Sequence, residues 1–167
     1  MSVTLVLGGA RSGKSAIAER LAAALPVPTS YLATAVIDAG DADLAARVDA
    51  HRARRPAAWR TVEAGADLAG ALEAAVGTVL VDALGTWVAA HPELDPDVAG
   101  LLAALDRRRG DTVLVSDEVG LGVHPSTDVG RRFRDVLGEV NAAVADMADR
   151  VLLVVAGRVL PLERSPW

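Results

Sequence analysis

The stretch of this sequence with the clearest chemical meaning is GGARSGKS, at residues 8–15. It fits the pattern G-x-x-x-x-G-K-[ST], in which glycines allow backbone N–H groups to turn inward around phosphate oxygens. The apolar run VTLVL precedes it and a helical pattern follows, which is the context that this type of phosphate site requires. Lys14 is expected to reach the terminal phosphates, and Ser15 to offer its hydroxyl to Mg²⁺. The sequence therefore predicts a nucleotide-binding loop made of Gly8, Gly9, Ala10, Arg11, Ser12, Gly13, Lys14 and Ser15.

A carboxylate that holds Mg²⁺ should follow a neighbouring strand, because parallel strands gather ligands at their carboxyl ends. Two places fit this expectation. Asp82 lies in TVLVDAL, and Asp117 with Glu118 ends TVLVSDE. The residues alone leave the choice between them open, and either could simply be a polar residue that closes a strand.

A basic segment, RVDAHRARRPAAWRTVE at residues 47–63, stands out in an acidic chain. On a helix, Arg47, His51 and Arg54 or Arg55 would share one face. A neutral imidazole is a competent nucleophile near pH 7, and flanking arginines could hold the phosphate that it attacks. On the residues alone, a solvated basic helix is the competing interpretation.

Strand and helix patterns alternate along the chain and position these residues. Short apolar runs predict strands at residues 3–7, 30–35, 60–64, 78–84, 112–118 and 151–157, with RVLPL as a further edge strand because it contains Pro161. Helical periodicity predicts helices at residues 14–25, 41–54, 66–76, 98–108 and 129–148. This alternation predicts an α/β fold with a mostly parallel central sheet and helices on both faces. No linker interrupts it, so residues 1–167 are predicted to form a single catalytic domain.

Composition excludes several classes of function. The net charge of −5 argues against a nucleic-acid partner, which normally requires a basic surface. There is no cysteine, so disulfides and thiolate chemistry are excluded. The first residues lack the pattern of a signal peptide, and no uncharged stretch approaches the roughly 20 residues of a membrane span. A cytoplasmic protein is expected.

Together these segments resemble the bifunctional adenosylcobinamide kinase/adenosylcobinamide-phosphate guanylyltransferase family of cobalamin biosynthesis. The resemblance covers nearly the whole chain. It is carried by GGARSGKS, YLATA, AARVDAHRARRPAAWRTVE, VDALGTWV, VSDEVGLGVHP and RRFRDVLGEVNAAVADMADRVLLVVAG. The phosphate loop is common to many NTPases, whereas the segment with histidine, arginines, proline and tryptophan is distinctive. The resemblance implies a RecA-like P-loop NTPase fold and a homotrimer.

The resemblance also implies two reactions on one protein. The first phosphorylates adenosylcobinamide with ATP or GTP, and the second transfers GMP from GTP to adenosylcobinamide phosphate. His51 takes the position of the family's guanylylated histidine and would act together with Lys14, while Ser15 and Asp82 would hold Mg²⁺. Beyond the phosphate loop, the implied nucleotide contacts are Ala33, Thr34, Ala35, Arg52, Ala53, Arg54, Arg55, Glu63 and Asp82.

The chain departs from the family pattern at four positions. Gly85 stands where the family usually has threonine, Ala90 near a usual asparagine, Asp117 at a common asparagine and Ala142 at a frequent glutamine. None of them is expected to touch the phosphate loop or His51, but they could alter the corrinoid pocket or subunit contacts. Two other interpretations are a single-function P-loop kinase of a small metabolite and a non-catalytic nucleotide-binding switch. The preferred kinase donor, and whether His51 and Lys14 act in one conformation, are left open.

Overall fold

A computed structural model describes residues 1–35 and 56–165 of the protein, and the helix predicted at 41–54 lies outside these ranges. The strands are β1 (Val3–Gly8), β2 (Thr29–Ala33), β3 (Arg60–Glu63), β4 (Thr78–Asp82), β5 (Thr112–Asp117), β6 (Arg150–Val155) and β7 (Arg158–Leu162). The helices are α1 (Lys14–Ala23), α2 (Leu68–Ala74), α3 (Leu84–Ala89), α4 (Val98–Arg107) and α5 (Asp128–Met147), with a 3₁₀ turn at Pro92–Leu94.

Within the described residues the strands form one sheet in the order β3-β2-β4-β5-β1-β6-β7. All neighbouring pairs are parallel except β6 and β7, which run antiparallel. Strand β1 lies between β5 and β6, which explains its uninterrupted apolar sequence. Pro161 lies in the edge strand β7, where its missing N–H leaves no gap in the sheet. The predicted mostly parallel sheet is confirmed.

The sheet separates two hydrophobic clusters because successive side chains of a strand point to opposite faces. Leu5 of β1 packs on one side with helices α2 to α5, and Val6 packs on the other side with Ala18 and Ala22 of α1. All four side chains are completely buried. The prediction of helices on both faces is therefore confirmed.

Arg108 is a buried arginine whose hydrogen bonds connect helix α2, the start of β4 and the start of β5. Its guanidinium donates to the carbonyl oxygens of Leu72, Ala75 and Gly77 at 2.6–3.0 Å, and to the Thr112 hydroxyl at 3.0 Å. Burial lowers the pKa of this guanidinium from its ordinary value, because desolvation penalises the charged form. The side chain thus supplies hydrogen-bond donors to three carbonyl oxygens at the end of α2 and before β4.

Element boundaries differ from the predictions by at most two residues, and one helix was not predicted. The strand predicted at 78–84 ends at Asp82, and Leu84 begins helix α3, which the periodicity did not reveal. The first helix ends at Ala23 rather than at Leu25, and β5 ends at Asp117 rather than at Glu118. In the part of the chain that the structure describes, no helix is both long and apolar enough to cross a membrane.

Candidate functional site

The carboxyl ends of the parallel strands lie side by side at one edge of the sheet. Ala33, the last residue of β2, is paired with Glu63 of β3 and with Asp82 of β4. Gly8, the last residue of β1, is paired with Asp117 of β5. The strand register thus brings four of the sequence-predicted residues, together with the start of the phosphate loop, to one edge.

The phosphate loop follows β1 and is compact at its base. Gly8 is buried, and a Cβ at this position would lie 2.5 Å from Ser12 Oγ and 2.8 Å from the Val154 carbonyl oxygen, so no larger residue fits. Gly13 has φ of 93°, a left-handed conformation that glycine adopts without strain, and it caps helix α1. Ala10 and Arg11 form the exposed outer part of the loop. The sequence therefore folds here into the loop that its glycines predicted.

The turn between β6 and β7 supports the loop from behind. The Gly157 amide donates to the Ser12 carbonyl oxygen at 2.8 Å. A Cβ on Gly13 would lie 3.6 Å from the Gly157 Cα, so the two backbones are in close contact. Ser12 itself is buried, and its hydroxyl accepts a hydrogen bond from the Lys14 amide at 3.3 Å. The loop is thus fixed by residues distant in sequence as well as by its own hydrogen bonds.

Lys14 points along the edge of the sheet toward β5. Its Nζ lies 2.6 Å from Asp117 Oδ1 and donates to the Gly9 carbonyl oxygen at 3.2 Å. The lysine side chain is 13% exposed, so the ammonium is largely surrounded by protein. Asp117 is thereby distinguished from Asp82, because it contacts the lysine of the loop rather than the serine. The expectation that Asp117, as a departure from the family pattern, does not touch the phosphate loop is therefore wrong, because the end of β5 lies directly beside the start of the loop.

Asp82 faces the serine of the loop and is held by a tyrosine. Its Oδ1 lies 3.4 Å from the Ser15 hydroxyl, and its Oδ2 accepts a hydrogen bond of 2.8 Å from the Tyr31 hydroxyl. A carboxylate beside a hydroxyl offers the hard oxygen ligands that Mg²⁺ prefers. The donor set therefore fits a magnesium ion between Asp82 and Ser15. The sequence did not indicate Tyr31, which it presented only as an interior strand residue.

Thr34 is buried where β2 ends, and it connects that strand to the start of α3. Its hydroxyl lies 2.6 Å from both the Ala83 carbonyl oxygen and the Thr86 hydroxyl, and it accepts from the Ala83 amide at 3.0 Å. The Asp82–Ala83 peptide bond is cis. Ala35 follows Thr34 at the same edge. These hydrogen bonds fix the backbone on the carboxyl side of Asp82, so Thr34 acts on the site through that backbone.

Two further polar residues lie near the phosphate loop. Glu118 does not face it, because its Oε1 accepts from the amides of Gly120 and Leu121 and so shapes the loop that follows β5. Asn141 of α5 donates to the Asp117 carbonyl oxygen at 3.0 Å. The positioning role of Asn141 was not predicted, since a polar residue in a long amphipathic helix carries no sequence signal for it.

The predicted role of the basic segment remains a prediction, because its residues 47–55 lie outside the described ranges. His51 and the residues Arg52, Ala53, Arg54 and Arg55 lie outside the described ranges. Trp59 is half-buried and packs against the hydrophobic cluster on the α1 side of the sheet. Glu63 is exposed at the end of β3.

Comparisons with known proteins agree with this geometry. Residues 4–162 match the family model described as "Cobinamide kinase / cobinamide phosphate guanyltransferase". The chain is 45% identical to the bifunctional adenosylcobalamin biosynthesis protein CobP of Pseudomonas aeruginosa, with 97% of this chain and 98% of that protein covered. It is 38% identical to the bifunctional adenosylcobalamin biosynthesis protein CobU of Salmonella typhimurium, with 92% and 95% covered.

A solved structure carries the same fold with little sequence similarity. An ATPase of a bacterial type III secretion system superposes with a TM-score of 0.54 at 11% identity, covering 91% of this chain and 50% of that one. Such a likeness concerns the fold alone. Together with the loop between β1 and α1, it confirms the predicted P-loop NTPase fold.

Proposed function

The chain belongs to the cobinamide kinase/cobinamide phosphate guanyltransferase family, and on that premise we propose how its residues divide the work of the two reactions. It is a bifunctional enzyme of adenosylcobalamin biosynthesis that phosphorylates adenosylcobinamide and then transfers GMP to the product. The assignment of residues rests on one observation. Lys14 and Ser15 of the phosphate loop lie at the same edge of the sheet as Asp82, whose Oδ1 is 3.4 Å from the Ser15 hydroxyl. One catalytic domain performs both reactions.

In the kinase reaction, the loop and the N-terminus of α1 bind the phosphates of ATP or GTP. Backbone amides and the partial positive charge of the helix face the phosphate oxygens, and Lys14 contacts the terminal ones. Ser15 and Asp82 would hold Mg²⁺, which would offset negative charge on the phosphates. The acceptor hydroxyl attacks the γ-phosphorus in line with the departing diphosphate, so positioning supplies most of the acceleration.

In the guanylyltransferase reaction, His51 attacks the α-phosphorus of GTP. A P–N bond forms, pyrophosphate leaves, and an oxygen of adenosylcobinamide phosphate then attacks the same phosphorus and breaks the P–N bond. This route divides one displacement into two easier ones, and a neutral imidazole is available at pH 7. The arginines from Arg52 to Arg55 would offset charge on the departing pyrophosphate. Support for His51 comes from its place in the family motif.

A labelling experiment tests this division. The protein is incubated with Mg²⁺ and GTP labelled at the α-phosphate, denatured, and examined for bound label. The label should survive base, be lost in acid as a phosphoramidate is, and disappear in His51→Ala. The matched control is His124→Ala, since His124 lies in the exposed loop before α5. Absence of an adduct in folded wild-type protein, with kinase activity intact, would contradict the guanylyl-histidine route.

We also propose that the enzyme is a homotrimer, as the family resemblance implies. Apolar side chains of the edge strand β7 support self-association, because Val159, Leu160 and Leu162 are 41–56% exposed. Sedimentation equilibrium should give three times the chain mass of 17.2 kDa, and a monomer would contradict the proposal.

We further propose a cytoplasmic location, because both reactions need ATP or GTP. Cell fractionation tests this location.

A further inference from the structure

Asp117 occupies an unexpected place in a site built to bind phosphate. Its Oδ1 is 2.6 Å from Lys14 Nζ, and it stands at the end of β5 directly beside the start of the phosphate loop at Gly8. The loop's ammonium therefore already has a carboxylate partner. A nucleoside triphosphate that enters the loop must compete with Asp117 for the same positive charge.

Gly85 accommodates the other oxygen of this carboxylate. A Cβ at residue 85 would lie only 2.8 Å from Asp117 Oδ2, whereas its contacts with Leu137 and Phe133 would be an ordinary 3.6 and 3.7 Å. A side chain at residue 85 would therefore require the Asp117 carboxylate to shift from its present orientation. Gly85 and Asp117 form one arrangement, with glycine providing the space that the carboxylate uses.

The charge of Asp117 has different consequences for the two forms of a nucleotide. Metal-free GTP brings several negative charges next to a carboxylate, and the single charge of Lys14 cannot neutralise both. A nucleotide that carries Mg²⁺ brings fewer net negative charges, and Ser15 with Asp82 offers oxygen atoms that would hold the cation. Because the repulsion acts over a few ångströms in a partly desolvated site, it is large enough to affect binding.

We propose that Asp117 makes the phosphate loop selective for the magnesium-bound nucleotide over the metal-free one. The inference rests on the proposed function to the extent that a nucleoside triphosphate binds this loop. It assigns to Asp117 a role in specificity that differs from metal ligation. Asp117 weakens the binding of metal-free nucleotide by repulsion, and this weakening produces the selectivity.

Titration calorimetry of GTP binding, with Mg²⁺ or with EDTA, tests the proposal. Asp117→Asn preserves the shape of the side chain and removes its charge. We expect the variant to bind metal-free GTP about tenfold more tightly and magnesium-bound GTP less than about threefold more tightly. The control is Asp106→Asn, which removes the same charge from an exposed residue near the end of α4, at the opposite edge of the sheet. It should leave both affinities unchanged.

A second variant moves the carboxylate without removing it. Gly85→Ala should displace Asp117 from Lys14 and reduce the preference for the magnesium-bound form in the same direction, by a smaller factor. Alanine suits this helical position, so the variant should keep its melting temperature. A folded Gly85→Ala protein with wild-type affinities for both forms would overturn the inference that Gly85 positions the carboxylate.

Two outcomes overturn the main proposal, and a third overturns the proposed function on which it rests. Asp117→Asn could bind metal-free GTP no more tightly than the wild type, which would show that the carboxylate exerts no repulsion. Equal gains with and without Mg²⁺ would show competition for Lys14 without selection of the metal-bound form. Wild-type protein that binds no GTP at all would overturn the proposed function, and a failure confined to Asp117→Asn would leave that function intact.

Discussion

Tyr31 on β2 donates a hydrogen bond of 2.8 Å to Asp82 Oδ2 on the neighbouring strand β4. The bond fixes one carboxylate oxygen within the sheet edge and leaves Oδ1 on the side of the Ser15 hydroxyl, 3.4 Å away. Tyr31 is 3% exposed, so its ring is held by packing. A tyrosine with no direct access to substrate thus sets the direction in which the carboxylate faces the phosphate loop.

Tyr31→Phe should therefore weaken the response to magnesium more than it affects catalysis at saturation. Loss of a partner that orients a metal-holding carboxylate typically costs about tenfold in metal affinity. We expect the Mg²⁺ concentration that gives half-maximal kinase rate to rise by about that factor, with kcat at saturating Mg²⁺ reduced less than about threefold. Activity measured across a magnesium titration checks this. An unchanged midpoint would contradict the orienting role of Tyr31.

Lys14→Ala should damage both half-reactions, because the same loop binds phosphates in each. We expect the kinase rate and the formation of the GMP adduct to fall by about a hundredfold or more. The control is Arg20→Ala, an exposed residue on the same helix α1, which should retain wild-type rates. Unchanged kinase turnover in Lys14→Ala would count against the assignment of the loop.

Gly8→Ala and Gly9→Ala form a pair that tests the base of the loop. A methyl group on Gly8 would meet Ser12 Oγ at 2.5 Å and the Val154 carbonyl oxygen at 2.8 Å, whereas nothing lies within 4 Å of a Cβ on Gly9. Overpacking of this kind costs about 1–3 kcal/mol of unfolding free energy. Urea denaturation should show this loss in Gly8→Ala and no more than about 0.5 kcal/mol in Gly9→Ala. Equal stability of the two variants would be inconsistent with the close contact.

Thr34→Val should destabilise the protein because the buried hydroxyl serves the Ala83 amide, the Ala83 carbonyl and Thr86. Valine has nearly the same shape, and the Thr86 hydroxyl also bonds to the Ala83 amide at 3.3 Å and to the Ala83 carbonyl oxygen at 2.9 Å. The loss is therefore that of the Thr34 hydrogen bonds themselves and should amount to about 1 kcal/mol. Thr34→Ser retains the hydroxyl and should lose less than half of that. Thermal or urea unfolding provides the comparison, and similar losses in the two variants would indicate that the methyl group, not the hydroxyl, matters.

Arg108→Met should destabilise the protein strongly, whereas Arg107→Met should not. The Arg108 guanidinium serves three carbonyl oxygens and the Thr112 hydroxyl, and its loss leaves buried acceptors without donors, at about 2–4 kcal/mol. Arg107 is largely exposed and pairs with Glu73 on the surface, which is worth at most about 1 kcal/mol. Urea denaturation of both variants measures the difference. A small loss in Arg108→Met would show that water replaces the guanidinium.

Sequence reasoning worked well where burial on both faces dictates composition. Strand β1 and its neighbour β5 are short apolar runs, and their bounds were predicted to within one residue. Helix α3 was missed because Leu84 continues the apolar pattern of β4, so hydrophobicity shows no boundary where the strand ends. A continuous apolar run does not distinguish a buried strand from the buried helix that follows it.

The phosphate loop could be predicted from the sequence, but the roles of the two aspartates near it could not. Asp82 and Asp117 both end apolar strands, and only the order of the strands separates the residue beside Ser15 from the one beside Lys14. Tyr31 could not be recognised, because its hydroxyl bond joins residues that are 51 positions apart. Pairings between distant strands leave no local pattern.

The hydrogen bond from the Gly157 amide to the Ser12 carbonyl oxygen also affects when the phosphate loop can fold during synthesis. Strand β1 is synthesised early, yet its partners β5 and β6 and the turn at Gly157 are all translated much later. A nascent chain on the ribosome therefore displays the GGARSGKS segment long before that segment has its shape. Because nucleotide stabilises only a chain whose phosphate loop has its native shape, we expect nucleotide binding to stabilise the protein only after residues 150–157 have been synthesised.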